Sequence, residues 1–259
     1  MKDSLHSEKG AYVARQHRYI TMADERLIVA LDVSTMDAMK DIVESLGDSV
    51  SFYKVGMELF YAQGEQTVRY LQEQNKQVFL DLKLHDIPNT VAHGVSSLTR
   101  LGANLMTIHG QGGPIMMQRA AEAAKQTAEE LGIERPKLLA ITVLTSFDDE
   151  NWSKTGGQLP ISDQVIRLAK LAKESGMDGV VCSPLEAKMI REACGPDFLI
   201  VTPGVRPSFA ATDDQKRIAT PAKALQDGAS RLVVGRPITK AADRQEAVRL
   251  ICQEIADVK

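Results

Sequence analysis

The chain has 259 residues, 44% of them hydrophobic and 25% charged, and a formal net charge of −3. That balance suits an ordinary globular protein and supplies no sequence-wide basic field for nucleic acid. No apolar run is long enough to cross a membrane, and three cysteines without close spacing fit a reducing cytoplasm better than a disulfide framework or a metal cluster.

Residues 1–24 are polar and mixed in charge, with no apolar signal core. They read as a loosely ordered extension ahead of a catalytic domain over 25–259. Residues 27–33 are almost wholly apolar, the pattern of a parallel strand covered on both faces. Ser34 and Thr35 can cap a helix running to about residue 46. A second strand is expected over 50–55 and a helical stretch over 64–74. Strand three, 77–82, is rich in Val, Phe and Leu. It is followed by a helix over 89–101 with Pro88 at its first turn. A strand over 104–108, a helix over 114–131 and a strand over 137–144 come next. Beyond a long connection, 145–160, lie a helix over 162–175, a strand over 178–182 and a helix over 185–193. The last strands are 198–202 and 231–234, separated by a second long connection, 203–221. A helix over 239–256 ends the chain. Strand and helix alternate with mostly short links, which marks an α/β protein with a parallel sheet. Eight such units without an internal linker predict one (β/α)8 TIM barrel. The two long connections are candidate lids or binding loops.

The third strand ends on Asp81-Leu82-Lys83-Leu84-His85-Asp86-Ile87-Pro88-Asn89-Thr90. Alternation along a strand sends Asp81 and Lys83 to the same side. Asp86 lies past the strand, where a loop can turn it back toward the pair or out toward a partner chain. A buried ion pair or a helix cap would explain one acid. It explains poorly an acid, a lysine and a second acid. Nearby carboxylates stabilise the ammonium of Lys83, and an ammonium in a sheltered pocket can donate a proton.

In such a barrel the chemistry gathers at the carboxyl ends of the strands. Those ends carry Asp32, Lys54, Asp81 with Lys83, His109, Thr145 with Ser146, Pro203-Gly204 and Gly235-Arg236. Singly, each has a plainer reading: Asp32 as a helix cap, Lys54 as a solvated stem, His109 as a hydrogen-bonded structural residue. Their gathering on one rim argues for a site. Gly235 and Arg236, between the last strand and a helix start, occupy the usual phosphate position of these barrels. The preceding loop can add Arg206 or Gln215.

With these motifs in place, the chain resembles the bacterial-type orotidine 5′-phosphate decarboxylases from Leu27 onward. The Asp-x-Lys-x-x-Asp-Ile-Pro-x-Thr segment matches from Asp81 to Thr90, and Leu-Thr-Ser, Thr-Pro-Gly-Val-Arg and Val-Gly-Arg match after strands five, seven and eight. The N-terminal extension is the one clear departure. The resemblance implies cofactor-free, metal-free decarboxylation of orotidine 5′-phosphate to uridine 5′-phosphate. It implies that Lys83 protonates the carbon that loses carbon dioxide and that Asp81 faces the departing carboxylate. Lys54 would bind ribose and anchor the charged residues, and Asp32 would hold a ribose hydroxyl. Thr145 and Ser146 would touch the pyrimidine. Pro203 would line the substrate site, and Arg206, Gln215, Gly235 and Arg236 would grip phosphate. Asp86 and Thr90 would serve the neighbouring subunit's site in a homodimer.

Two other readings compete. One is a magnesium-dependent sugar-phosphate enzyme of the same barrel type, which shares the Asp-x-Lys-x-x-Asp pattern. The other is a non-catalytic sensor of phosphate ligands. Ile87-Pro88-x-Thr90, Lys54 and Gln215 favour the nucleotide enzyme over the first, and an intact proton donor disfavours the second.

Overall fold

A computed structural model describes residues 23–210 and 219–258. The extension expected over 1–24 lies outside these residues up to position 22, and so does Gln215. Among the described residues no helix is long and apolar enough to cross a membrane.

Eight parallel strands close into a barrel in chain order: β1 Leu27–Ala30, β2 Phe52–Gly56, β3 Gln77–Leu84, β4 Leu105–His109, β5 Lys137–Ile141, β6 Gly179–Val181, β7 Leu199–Thr202 and β8 Arg231–Val234. Closure comes from pairing of β1 with β8, where Val29 faces Val234, as well as with β2, where Val29 faces Tyr53. Alternation sorts the strand residues into two shells. Ile28, Ala30, Phe52, Phe79, Leu105, Leu139, Val201 and Val233 fill the barrel interior. Leu27, Val29, Tyr53, Val55, Val78, Leu80 and Met106 face outward and pack in the larger core together with buried helix residues such as Met39, Leu71 and Val95. The interior parity positions the site. Two residues beyond Ala30 stands Asp32, two beyond Phe52 stands Lys54, and two beyond Phe79 stands Asp81.

Most expected elements are present, and their differences have local causes. β1 ends at Ala30 rather than 33, because the chain turns out of the ladder once Leu31 N–H has bonded to the Lys54 carbonyl at 2.9 Å. Of the two expected caps, Thr35 does the capping: its hydroxyl accepts from Ala38 N–H at 3.2 Å at the start of the helix Met36–Leu46. A helix at Met57–Gln63 was not expected, and the stretch expected over 64–74 begins only at Gln66. Gly64, at φ +68°, separates the two. β5 stops at Ile141, three residues early. The connection over 145–160 is not an open loop. It contains the helix Asp149–Lys154, capped by Asp148, and Trp152 pins it by donating Nε1–H to the Leu159 carbonyl at 2.9 Å. The final helix, expected from 239, begins at Arg244, capped by Asp243, and a short helix, Arg236–Thr239, precedes it.

The largest departure lies in β3. The strand runs to Leu84, and its register with β4 shifts: Leu80 faces Met106, but Leu84 faces Ile108. Asp81, Leu82 and Lys83 therefore oppose the single residue Thr107. This is a β-bulge, and Lys83 takes φ +51° within it. A non-glycine residue there costs on the order of 1 kcal/mol and needs local support.

Candidate active site

A cavity of about 740 Å³ opens at the carboxyl end of the barrel. Asp32, Lys54, Asp81, Lys83, Thr145, Pro203, Arg206, Gly235 and Arg236 line it together with Ala30, Phe79, Ile141, Val143, Leu144, Val181, Gly204, Val205, Val233 and Pro237. Its floor and one wall are thus apolar, and its polar groups converge from different strands. A ligand site of this size with few, fixed polar groups suits a small molecule.

Four charged side chains form a chain just above this apolar floor. Lys54 Nζ lies 3.6 Å from Asp32 Oδ1 and 3.4 Å from Asp81 Oδ2. Lys83 Nζ donates to Asp81 Oδ1 at 2.9 Å. Asp81 is 12% exposed and Lys83 26% exposed, so both sit largely out of water while their charges alternate. Burial pushes the Asp81 carboxyl up, but Lys54, Lys83 and hydrogen bonds from Lys83 and Thr107 outweigh it and hold the group below its ordinary value. Asp81 is therefore a carboxylate at neutral pH, and its charge keeps two ammonium groups aimed into the cavity. Gly56 leaves space for this arrangement: a Cβ there would lie 3.3 Å from Lys54 Nζ.

The expectation that Asp81 and Lys83 share a side is met in effect but not by the expected route. Strict alternation ends at Asp81, and the bulge returns Lys83 to its partner. Of the two courses open to Asp86, the loop does not take the one that turns it back toward the Asp81–Lys83 pair. Asp86 makes no ion pair with Lys83. It is exposed, and its Oδ1 accepts from Ile87 N–H at 2.6 Å. Thr90 is likewise exposed, and neither it nor Ser146 lines the cavity. The plain reading of His109 as a hydrogen-bonded structural residue also needs correction. Its ring packs 4.9 Å from that of His85, and its buried Nδ1 has no hydrogen-bond partner among the described residues. Burial, then His85 and Lys83, lower its basicity.

Arg206 and Arg236 both line this mouth, following the neighbouring strands β7 and β8. Arg206 is tied through its backbone, whose N–H bonds to the Ala219 carbonyl at 3.0 Å and so joins the two ends of the connection between β7 and β8. Sequence reasoning missed Thr107 and the apolar wall. Thr107 is 1% exposed and lies below Asp81 in the bulge. Its interior parity, two residues after Leu105, was the available signal.

Comparison with known proteins matches the chain to a family. The model of the Orotidine 5'-phosphate decarboxylase / HUMPS family matches residues 25–251. The orotidine 5'-phosphate decarboxylase of Trichlorobacter lovleyi is 54% identical over 236 residues, covering 90% of this chain and 96% of that one. That of Moorella thermoacetica is 48% identical, covering 92% of this chain and 94% of its own. The crystal structure of the orotidine 5'-phosphate decarboxylase from Lactobacillus acidophilus superposes with a TM-score of 0.80 at 44% identity, covering 90% of this chain and 99% of that one. With a closed eightfold barrel, an alternating charge chain at its mouth and these matches, the chain belongs to the orotidine 5'-phosphate decarboxylase / HUMPS family.

Proposed function

We propose that this chain converts orotidine 5′-phosphate to uridine 5′-phosphate and carbon dioxide, without a cofactor, as a step of pyrimidine nucleotide synthesis. The observation that carries this reading is the Lys83 ammonium, held 2.9 Å from Asp81 inside a cavity whose mouth bears Arg206 and Arg236. Breaking the bond to the carboxylate leaves an electron pair on the ring carbon. A fixed ammonium stabilises that charge as it develops and then delivers the proton. Asp81 faces the carboxylate that leaves and anchors both lysines. Asp32 and Lys54 hold the ribose. Thr145 meets the pyrimidine, joined by Ser146 once the mouth closes. Arg206, Gly235, Arg236 and Gln215 bind the phosphate. Binding energy at that end, remote from the reacting carbon, is available to exclude water from it.

The working form is a homodimer, with residues 25–259 as the catalytic domain. Asp86 and Thr90 are exposed beside Ile87, which is 66% exposed, so this segment can reach a neighbouring subunit's site. Three buried, free thiols suit a reducing cytoplasm. The test is turnover of orotidine 5′-phosphate in excess chelator. Full activity is expected. Inactivity there, with activity on a sugar phosphate restored by magnesium, would replace this reading with the metal-dependent one.

A further inference from the structure

We propose that Thr107 is a positioning residue for the decarboxylation, its hydroxyl tying the backbone of Lys83 to the carboxylate of Asp81 and so fixing where the ammonium stands. The inference rests on the decarboxylase reading above.

The argument begins with the register. Three residues of β3 oppose Thr107 alone, so the regular ladder between the two strands is interrupted there. Lys83 N–H turns to the Thr107 side chain instead and donates to Oγ1 at 3.0 Å. The same hydroxyl donates to Asp81 Oδ1 at 2.9 Å. That oxygen also receives Lys83 Nζ at 2.9 Å. The four groups close a ring: Lys83 backbone, Thr107 hydroxyl, Asp81 carboxylate, Lys83 ammonium. A hydroxyl is suited to this place because it accepts and donates at once, and at 1% exposure no bulk water reaches it as a substitute.

Both ends of the ring need holding. Lys83 sits at φ +51°, where a side-chain-bearing residue stays only if its surroundings over-determine it. Asp81 could rotate toward Lys54, 3.4 Å from its other oxygen. Without the hydroxyl, Lys83 N–H loses its partner in a buried bulge and Asp81 loses one of two donors on Oδ1. The predicted result is a misplaced ammonium rather than an unfolded barrel. Displacement of a catalytic group by about 1 Å costs roughly a hundredfold in rate.

Steady-state kinetics on orotidine 5′-phosphate test this, with wild type, Thr107→Val, Thr107→Cys and Thr107→Ser, and a thermal melt of each. Thr107→Val keeps the shape and removes the hydroxyl. Its kcat is expected to fall about tenfold to a hundredfold, while KM and uridine 5′-phosphate affinity stay within about twofold. Thr107→Ser keeps the hydroxyl and should recover most of the lost kcat. If Thr107→Val does not fold, Thr107→Cys, with similar volume and a weaker donor, carries the comparison against Ser. Wild-type kcat in the Val or Cys variant overturns the proposal, as does a Ser variant as slow as either, or a loss seen only in KM. An inactive wild type would instead overturn the assigned reaction.

Discussion

Lys83 donates to Asp81, two residues earlier in the same strand, across 2.9 Å. A regular strand would place both side chains on one face, some 7 Å apart along the chain. The bulge and the positive φ at Lys83 fold that distance away. The pair is therefore a made contact, and its geometry carries the expected chemistry.

Replacing Lys83 tests that chemistry directly. Lys83→Ala removes the proposed proton donor and is expected to lower kcat by at least about a thousandfold. Asp81 keeps Lys54 and Thr107 as partners, so the barrel should stay folded. Carbon dioxide release and a thermal melt check both halves. Normal turnover in this variant would remove Lys83 from the mechanism.

The Asp81 carboxyl predicts a pH effect on stability. Its value is depressed in the folded protein. A depressed carboxyl contributes stability that is fully present above its unfolded value, about 3.9, and lost as pH falls through the lower folded value. Melting temperatures of wild type should thus fall below about pH 4 more steeply than those of Asp81→Asn, which has no proton to gain there. Parallel curves for the two proteins would contradict the assignment.

Arg236 separates binding from chemistry. Arg236→Ala should raise KM for orotidine 5′-phosphate by about a hundredfold, the range for loss of a charge-assisted contact. Turnover of the nucleoside lacking phosphate should change little. A comparable loss on the phosphate-free substrate would place Arg236 in some other role.

The proposed sharing of Asp86 between subunits predicts complementation. Lys83→Ala and Asp86→Ala homodimers should each be nearly inactive. Mixed and re-associated, half of the dimers are hybrids, each with one unaltered site, so activity should return to about a quarter of wild type. No recovery in verified hybrids would confine Asp86 to its own chain.

Much of the fold was legible because each strand is short, apolar and bounded by a helix signal. Where the reading failed, the cause was not local. The helix Met57–Gln63 follows a strand directly and contributes only Leu59 to the fully buried set, so its apolar stripe is faint. The 145–160 connection looked open because one residue, Trp152, supplies its core and its partner, the Leu159 carbonyl, is backbone. Asp32, Lys54 and Asp81 were readable from interior parity. Asp86 and Thr90 were recognisable by motif, yet the cavity of a single chain does not contain them.

The sequence by itself determined eight alternating units, the family motif and the polar residues at the strand ends, because side-chain direction and apolar period are properties of one segment. The tertiary structure alone decided that Asp81, Leu82 and Lys83 face a single Thr107, and that its buried hydroxyl joins backbone to carboxylate. The reason is that register belongs to two strands at once: an extra residue in one acquires meaning only when the other is laid beside it.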